Sequence, residues 1–171
     1  MFKKIVYLII ICSAYSLCGV AQRGEEDYNL KAAFIYNFTK YIDWGNRSSG
    51  AFTIGVIGDS PVYNSLREIA KTKTVNNREI LVFHFNDPDD IIPCHILFIS
   101  ANNNFSLSSV LARISKGTLT ISEEPGFADF GTAFNFFIDN HKLKFEANIN
   151  TLNEEGMKAS SQLLKLATIV K

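Results

Sequence analysis

The sequence predicts an α/β fold: a mainly parallel sheet flanked by helices on both faces, completed by a C-terminal antiparallel hairpin and a final helix. Three observations predict it. Helical-period stretches and short apolar runs nearly alternate along most of the chain, the pattern of parallel strands joined by helical crossovers. Two apolar runs near the end are separated by only Asp139-Asn140-His141-Lys142, which is too short for anything but an antiparallel connection. Hydrophobic residues make up 47% of the chain, enough for about 150 residues to fill one core.

The first element is not part of that fold. Met1-Phe2-Lys3-Lys4 gives a basic start, and Ile5 to Cys12 an apolar stretch short of the roughly 20 residues that span a bilayer. Residues 1–21 therefore read as a secretory signal peptide and not as a membrane anchor. Small residues at Gly19 and Ala21 predict cleavage after Ala21, leaving Gln22 first. Leu17 stands before Cys18 where a lipobox has a small residue, so the exported chain is expected to be soluble, periplasmic and not inserted in a membrane. Residues 22–171 then form a single α/β domain.

From Asp27, Leu30, Ala33, Phe34, Phe38, Tyr41 and Ile42 recur at helical spacing, with Gly45 as C-cap. Phe52–Ile57 is a buried strand. Gly58-Asp59-Ser60-Pro61 ends it and opens a helix, with Ser60 as N-cap, Pro61 as first helical residue, and Val62, Leu66, Ile69 and Ala70 facing inward. Glu79–Phe85 is a second strand, closed by the Asp-rich turn 86–90, and His95–Ser100 a third. A helix over about 106–115 follows, and Gly117 releases the chain into a fourth strand at 118–122. Phe134–Ile138 and Leu143–Asn148 form the hairpin. Thr151 to Glu154 matches a capping box, and Ala159, Leu163, Leu166, Ala167 and Val170 form the core stripe of a final helix.

Composition excludes several functions. Without Lys3 and Lys4, fifteen basic residues face seventeen acidic ones, a formal charge of −2, and the basic residues are scattered. Nucleic-acid binding wants a basic face and is set aside. Cys94 is the one cysteine after residue 21, so the exported domain has no internal disulfide and depends on its core. His84, His95 and His141 lack metal-ligand spacing. No phosphate-loop lysine or dinucleotide glycine pattern follows a strand, so no cofactor is expected.

Two features carry possible chemistry. Gly58-Asp59-Ser60 after a strand resembles the nucleophile block of Gly-Asp-Ser hydrolases, with Ser60 as nucleophile. That family needs a later Asp-x-x-His, and Asp139-Asn140-His141 is one residue short and lies in a turn, so Ser60 reads as a cap. The same three residues can instead line a small-ligand crevice, because free N–H groups at a helix start and the carboxyl ends of parallel strands favour one there.

Several segments together resemble the YfiR family, and cover nearly all of 22–171. They are Leu30-Lys31-Ala32-Ala33-Phe34-Ile35-Tyr36-Asn37-Phe38-Thr39-Lys40-Tyr41-Ile42-Asp43-Trp44, Cys94-His95-Ile96-Leu97-Phe98-Ile99, Phe134-Asn135-Phe136, Leu143-Lys144-Phe145-Glu146-Ala147-Asn148-Ile149 and Ala159 to Ala167. The resemblance implies a non-catalytic exported regulator that binds and restrains a membrane-bound signalling enzyme, a diguanylate cyclase or sensor kinase. It also implies release by an outer-membrane lipoprotein. Known members have paired cysteines; no second cysteine follows residue 21 here, so control through an internal disulfide does not carry over.

Strand alternation bounds where such a partner docks. If Phe134, Phe136 and Phe145 are core, then Phe137, Lys144, Glu146 and Asn148 remain for recognition; the opposite register exposes Phe134 and Phe136. Glu146 is the expected docking residue, because a charge among core positions needs either solvent or a partner.

Overall fold

The computed structural model describes residues 27–44 and 50–170. The expected signal peptide and its cleavage after Ala21, Cys12, Cys18 and the expected Gly45 cap lie outside the described residues.

Helix α1 covers 27–41 and leads into β1 (Ile42–Asp43). Next come β2 (Phe52–Ile57), α2 (Val62–Ala70), β3 (Thr74–Val75), β4 (Arg78–Phe85), a short 3₁₀ turn, β5 (Ile96–Ile99), α3 (Leu107–Leu111) and β6 (Leu119–Ser122). The chain ends with β7 (Phe134–Asp139), β8 (Lys142–Asn148), α4 (Ile149–Glu154), β9 (Lys158–Ala159), α5 (Ser161–Leu164) and β10 (Thr168–Val170). Eight strands form one sheet in the order β10-β8-β7-β6-β5-β2-β4-β3, and β1 pairs separately with β9. Neighbours run parallel except at β3/β4 and β7/β8. This is the mainly parallel α/β sheet with a C-terminal hairpin that the pattern predicts.

The central strands are buried on both faces, which is why they read as continuous apolar runs. On one face Ile54, Val56, Ile96, Phe98, Leu119, Ile121, Phe134, Phe136 and Phe145 pack under Ala32, Ile35 and Phe38 of α1 and Val62 and Leu66 of α2. On the other, Ile57, Phe85, Leu97 and Ile99 pack with Cys94 and with Val110 of α3. Cys94 is thus a buried strand-entry residue. His95, pointing the opposite way, stacks on Phe52 with ring centroids 4.5 Å apart.

The final helix is corrected. Helix α4 is capped by Asn148, whose Oδ1 accepts from the Thr151 amide, and not by a Thr151 box. Gly156 at φ 72° ends that segment, and Ser160 opens the four-residue α5. The β-branched Thr168 and Ile169 then extend and join the sheet as β10, parallel to β8. Leu163 is core, but Leu166 is 71% exposed.

The hairpin connection is also tighter than four residues. Asn140 and His141 both adopt positive φ, 48° and 60°, forming a two-residue turn of the primed kind whose twist suits a hairpin. Asn76 and Asn77, at 50° and 63°, do the same between β3 and β4.

Candidate functional site

The register decides which hairpin face is core. Phe136 lies opposite Phe145 and Phe134 opposite Ala147, while Asn135 faces Glu146 and Phe137 faces Lys144. The first set turns toward α1, where Phe38 meets Phe134 at 4.7 Å and Phe145 at 5.0 Å between centroids. The second set makes the outer face.

The four predicted recognition residues divide on that face. Lys144 is exposed and donates to Asp139 Oδ2 at 2.5 Å across the turn. Phe137 is half-buried beside it. Glu146 is half-buried and has a partner inside the chain: Asn135 Nδ2 donates to its Oε2 at 3.0 Å. Asn135 in turn accepts from Ser122 Oγ at 2.7 Å, and Ser122 shares a hydrogen bond with Thr132. Asn148 is removed from the exposed set. It is 6% exposed, because its Nδ2 donates to Ala128 O while its Oδ1 caps α4.

A cleft of about 250 Å³ opens beside the hairpin, lined by Phe136, Phe137, Ile138, Leu143, Pro125, Lys31 and Glu123. Ile138 stands 56% exposed at its rim. Lys31 and Glu123 form an ion pair at 2.5 Å with side chains only 14% and 7% exposed. Both were missed in the sequence as site residues. Lys31 sits in a helix motif, and Glu123 reads as one of two acids at a solvated corner; only the fold brings them together.

Electrostatically the outer face is set by Asp139. Lys144, through its hydrogen bond and its charge, holds this carboxyl below the ordinary carboxylate range. The unfolded chain then binds more protons than the folded one as pH falls, so the pair's contribution is complete above the unfolded value and lost as pH falls through the folded one. A carboxyl titration by NMR should find Asp139 below its ordinary 3.8, and Lys144→Met should return it there. An unshifted midpoint in the native protein contradicts the pairing.

Gly58, Asp59 and Ser60 lie at the topological switch point, where the chain passes from β4 on one side of β2 to β5 on the other. The two loops there are bonded to each other. Asp59 N–H donates to Asn102 O at 3.0 Å, and Ser100 Oγ donates to Asp59 O at 2.8 Å. Gly58, at φ 84°, packs its backbone against Asn102 and Asn103. Ser60 is 6% exposed, and its Oγ accepts from the Val62 amide at 3.3 Å, although Pro61 and not Ser60 stands at the N-cap of α2, one residue later than the sequence predicts. His141 sits on the β7–β8 turn, and β7 is three strand spacings from β2, roughly 14 Å. The fold therefore does not bring Ser60 and His141 together.

Among the described residues no group of three or more His, Cys, Asp or Glu is placed to hold a metal ion. No helix among them is long and apolar enough to cross a membrane.

The YfiR/HmsC-like family model matches residues 28–168. The chain belongs to the YfiR/HmsC-like family. That span begins in α1 and ends in β10, so it takes in the aromatic core under the hairpin, the cleft and the switch-point loops alike. No curated protein matches the chain.

Proposed function

We propose that this YfiR/HmsC-like protein is an exported, non-catalytic regulator that binds a membrane-bound signalling enzyme, a diguanylate cyclase or sensor kinase, and restrains it. The observation that carries this reading is the family match over 28–168. An outer-membrane lipoprotein that captures the regulator would relieve the restraint. The outer face of the hairpin supports docking: a half-buried aromatic, a charged pair and a carboxylate stand beside a cleft sized for an apolar side chain. Interfaces commonly concentrate their energy in such anchors, with a polar rim around them.

Glu146 is the first residue to test, and its bond to Asn135 dictates the substitution. Glu146→Lys removes the acceptor of a buried amide, which costs about 1–3 kcal/mol of stability and confuses the result. Glu146→Gln keeps an acceptor oxygen and removes the charge. It should change the stability by no more than the roughly ±0.5 kcal/mol typical of surface changes, yet weaken capture of the membrane enzyme by about tenfold, or roughly 1.4 kcal/mol. Capture is measured by titrating the purified regulator onto membranes that hold the enzyme recovered by crosslinking. Unchanged capture removes this face from the interface.

A further inference from the structure

Glu123 follows β6 directly and is nearly buried, so its charge must be matched within the protein. Two groups match it and a third stands in reach. Lys31 Nζ donates to Oε2 at 2.5 Å, the Ala101 amide donates to Oε1 at 3.2 Å, and Ser100 Oγ lies 3.4 Å from Oε1. Lys31 belongs to the hairpin cleft, whereas Ser100 and Ala101 belong to the loop bonded to Asp59 at the switch point.

Ser100 has one hydroxyl proton and two acceptors in reach. At 2.8 Å the proton goes to Asp59 O, with the Asn102 amide donating to the same hydroxyl at 3.1 Å. If Lys31 is drawn away from Glu123, the carboxylate is left buried without its cation, keeping the Ala101 amide, and the next donor in reach is that hydroxyl proton. Turning it to Glu123 breaks one of the two bonds that hold Asp59 to the 100–104 loop; the other is Asp59 N–H to Asn102 O.

We propose that Glu123 is a positioning residue that couples the hairpin cleft to the switch-point loops, with the Ser100 hydroxyl as the two-state element. An apolar side chain entering the cleft displaces the Lys31 stem, and the loop around Asp59 and Asn102 loosens in response. The coupling makes the switch-point loops a remote reporter, and by reciprocity a remote controller, of the cleft. Its use in signalling rests on the docking proposed above reaching the cleft through Phe137, which lines it; the coupling itself does not.

Amide hydrogen exchange on the purified exported chain tests it without any partner. Lys31→Met keeps the stem and removes the ammonium, and should speed exchange at Asp59 and Asn102 by about fivefold or more, the lower end of ordinary coupling. In a Glu123→Gln background, where no charge needs matching, adding Lys31→Met should change the same amides by less than about twofold. Core amides at Ile54 and Ile121 report whether each variant is folded. Should Lys31→Met unfold, Ile138→Trp crowds the cleft from its exposed rim and must produce the same response. Unchanged exchange at Asp59 and Asn102, or an equal response with Glu123→Gln present, overturns the proposal. Because no partner is involved, failure here is separate from failure to find a membrane enzyme.

Discussion

Replacing Phe38 with alanine should destabilise the protein by about 3–5 kcal/mol, the usual cost of emptying a buried aromatic site. Phe38 is 1% exposed, and its ring meets those of Phe34, Phe134, Phe136 and Phe145. Together with Phe34, which meets Phe136 and Phe145, it fixes α1 to the hairpin. The void cannot collapse easily, because three of those four rings stand on a sheet whose strands are held by their ladders. For a chain of this size the loss corresponds to a fall in Tm on the order of 10 °C, readable by calorimetry. A fall of about 2 °C or less would mean that α1 does not depend on this contact. The same variant should loosen the hairpin face, since Phe136 and Phe145 back the strands that carry Phe137, Lys144 and Glu146.

Gly58→Val should be nearly as damaging for a different reason. At φ 84° a β-branched residue is strained, by about 1–3 kcal/mol. Its Cβ would also lie 2.9 Å from Asn103 Cβ and 3.0 Å from Asn102 O, and overpacking against backbone costs about 1–3 kcal/mol more. Gly156→Ala is the control: φ is 72° there but nothing lies within 4 Å of the added Cβ, so the conformational part alone is felt. Chemical denaturation of both variants separates the two costs. Equal midpoints would show that the close approach of the two switch-point loops contributes nothing.

How far the sequence could be read depends on what each segment is made of. Strands β2, β5 and β6 are buried on both faces, so their apolar runs are unmistakable, and Ser106 and Gly117 mark where α3 is entered and β6 begins. The C-terminus misleads because Ala159, Leu163, Leu166, Ala167 and Val170 satisfy a helical period while also permitting a break. The deciding signals are local ones, a positive-φ glycine at 156, a capping serine at 160 and the β-branched pair Thr168-Ile169. Two-residue strands such as β1, β3 and β9 are created by tertiary pairing and leave almost no pattern.

The candidate site was legible in part for the same reason. Alternation along the hairpin is a property of the chain, so it puts Lys144 and Glu146 on one face and Phe145 on the other, while packing under α1 decides which face is outer. Asn148 shares their parity but lies where β8 passes into α4, and capping draws it inward. The Lys31–Glu123 pair spans 92 residues, and no local pattern announces such a contact.

Holding a membrane signalling enzyme through the hairpin face is the role proposed for this protein. The most direct test is site-specific photo-crosslinking from position 144 in intact envelopes, with the adducts identified by mass spectrometry. An adduct with an inner-membrane cyclase or sensor kinase is expected, diminished when Glu146 is changed to Gln. Thorough crosslinking that yields no membrane signalling protein would contradict it.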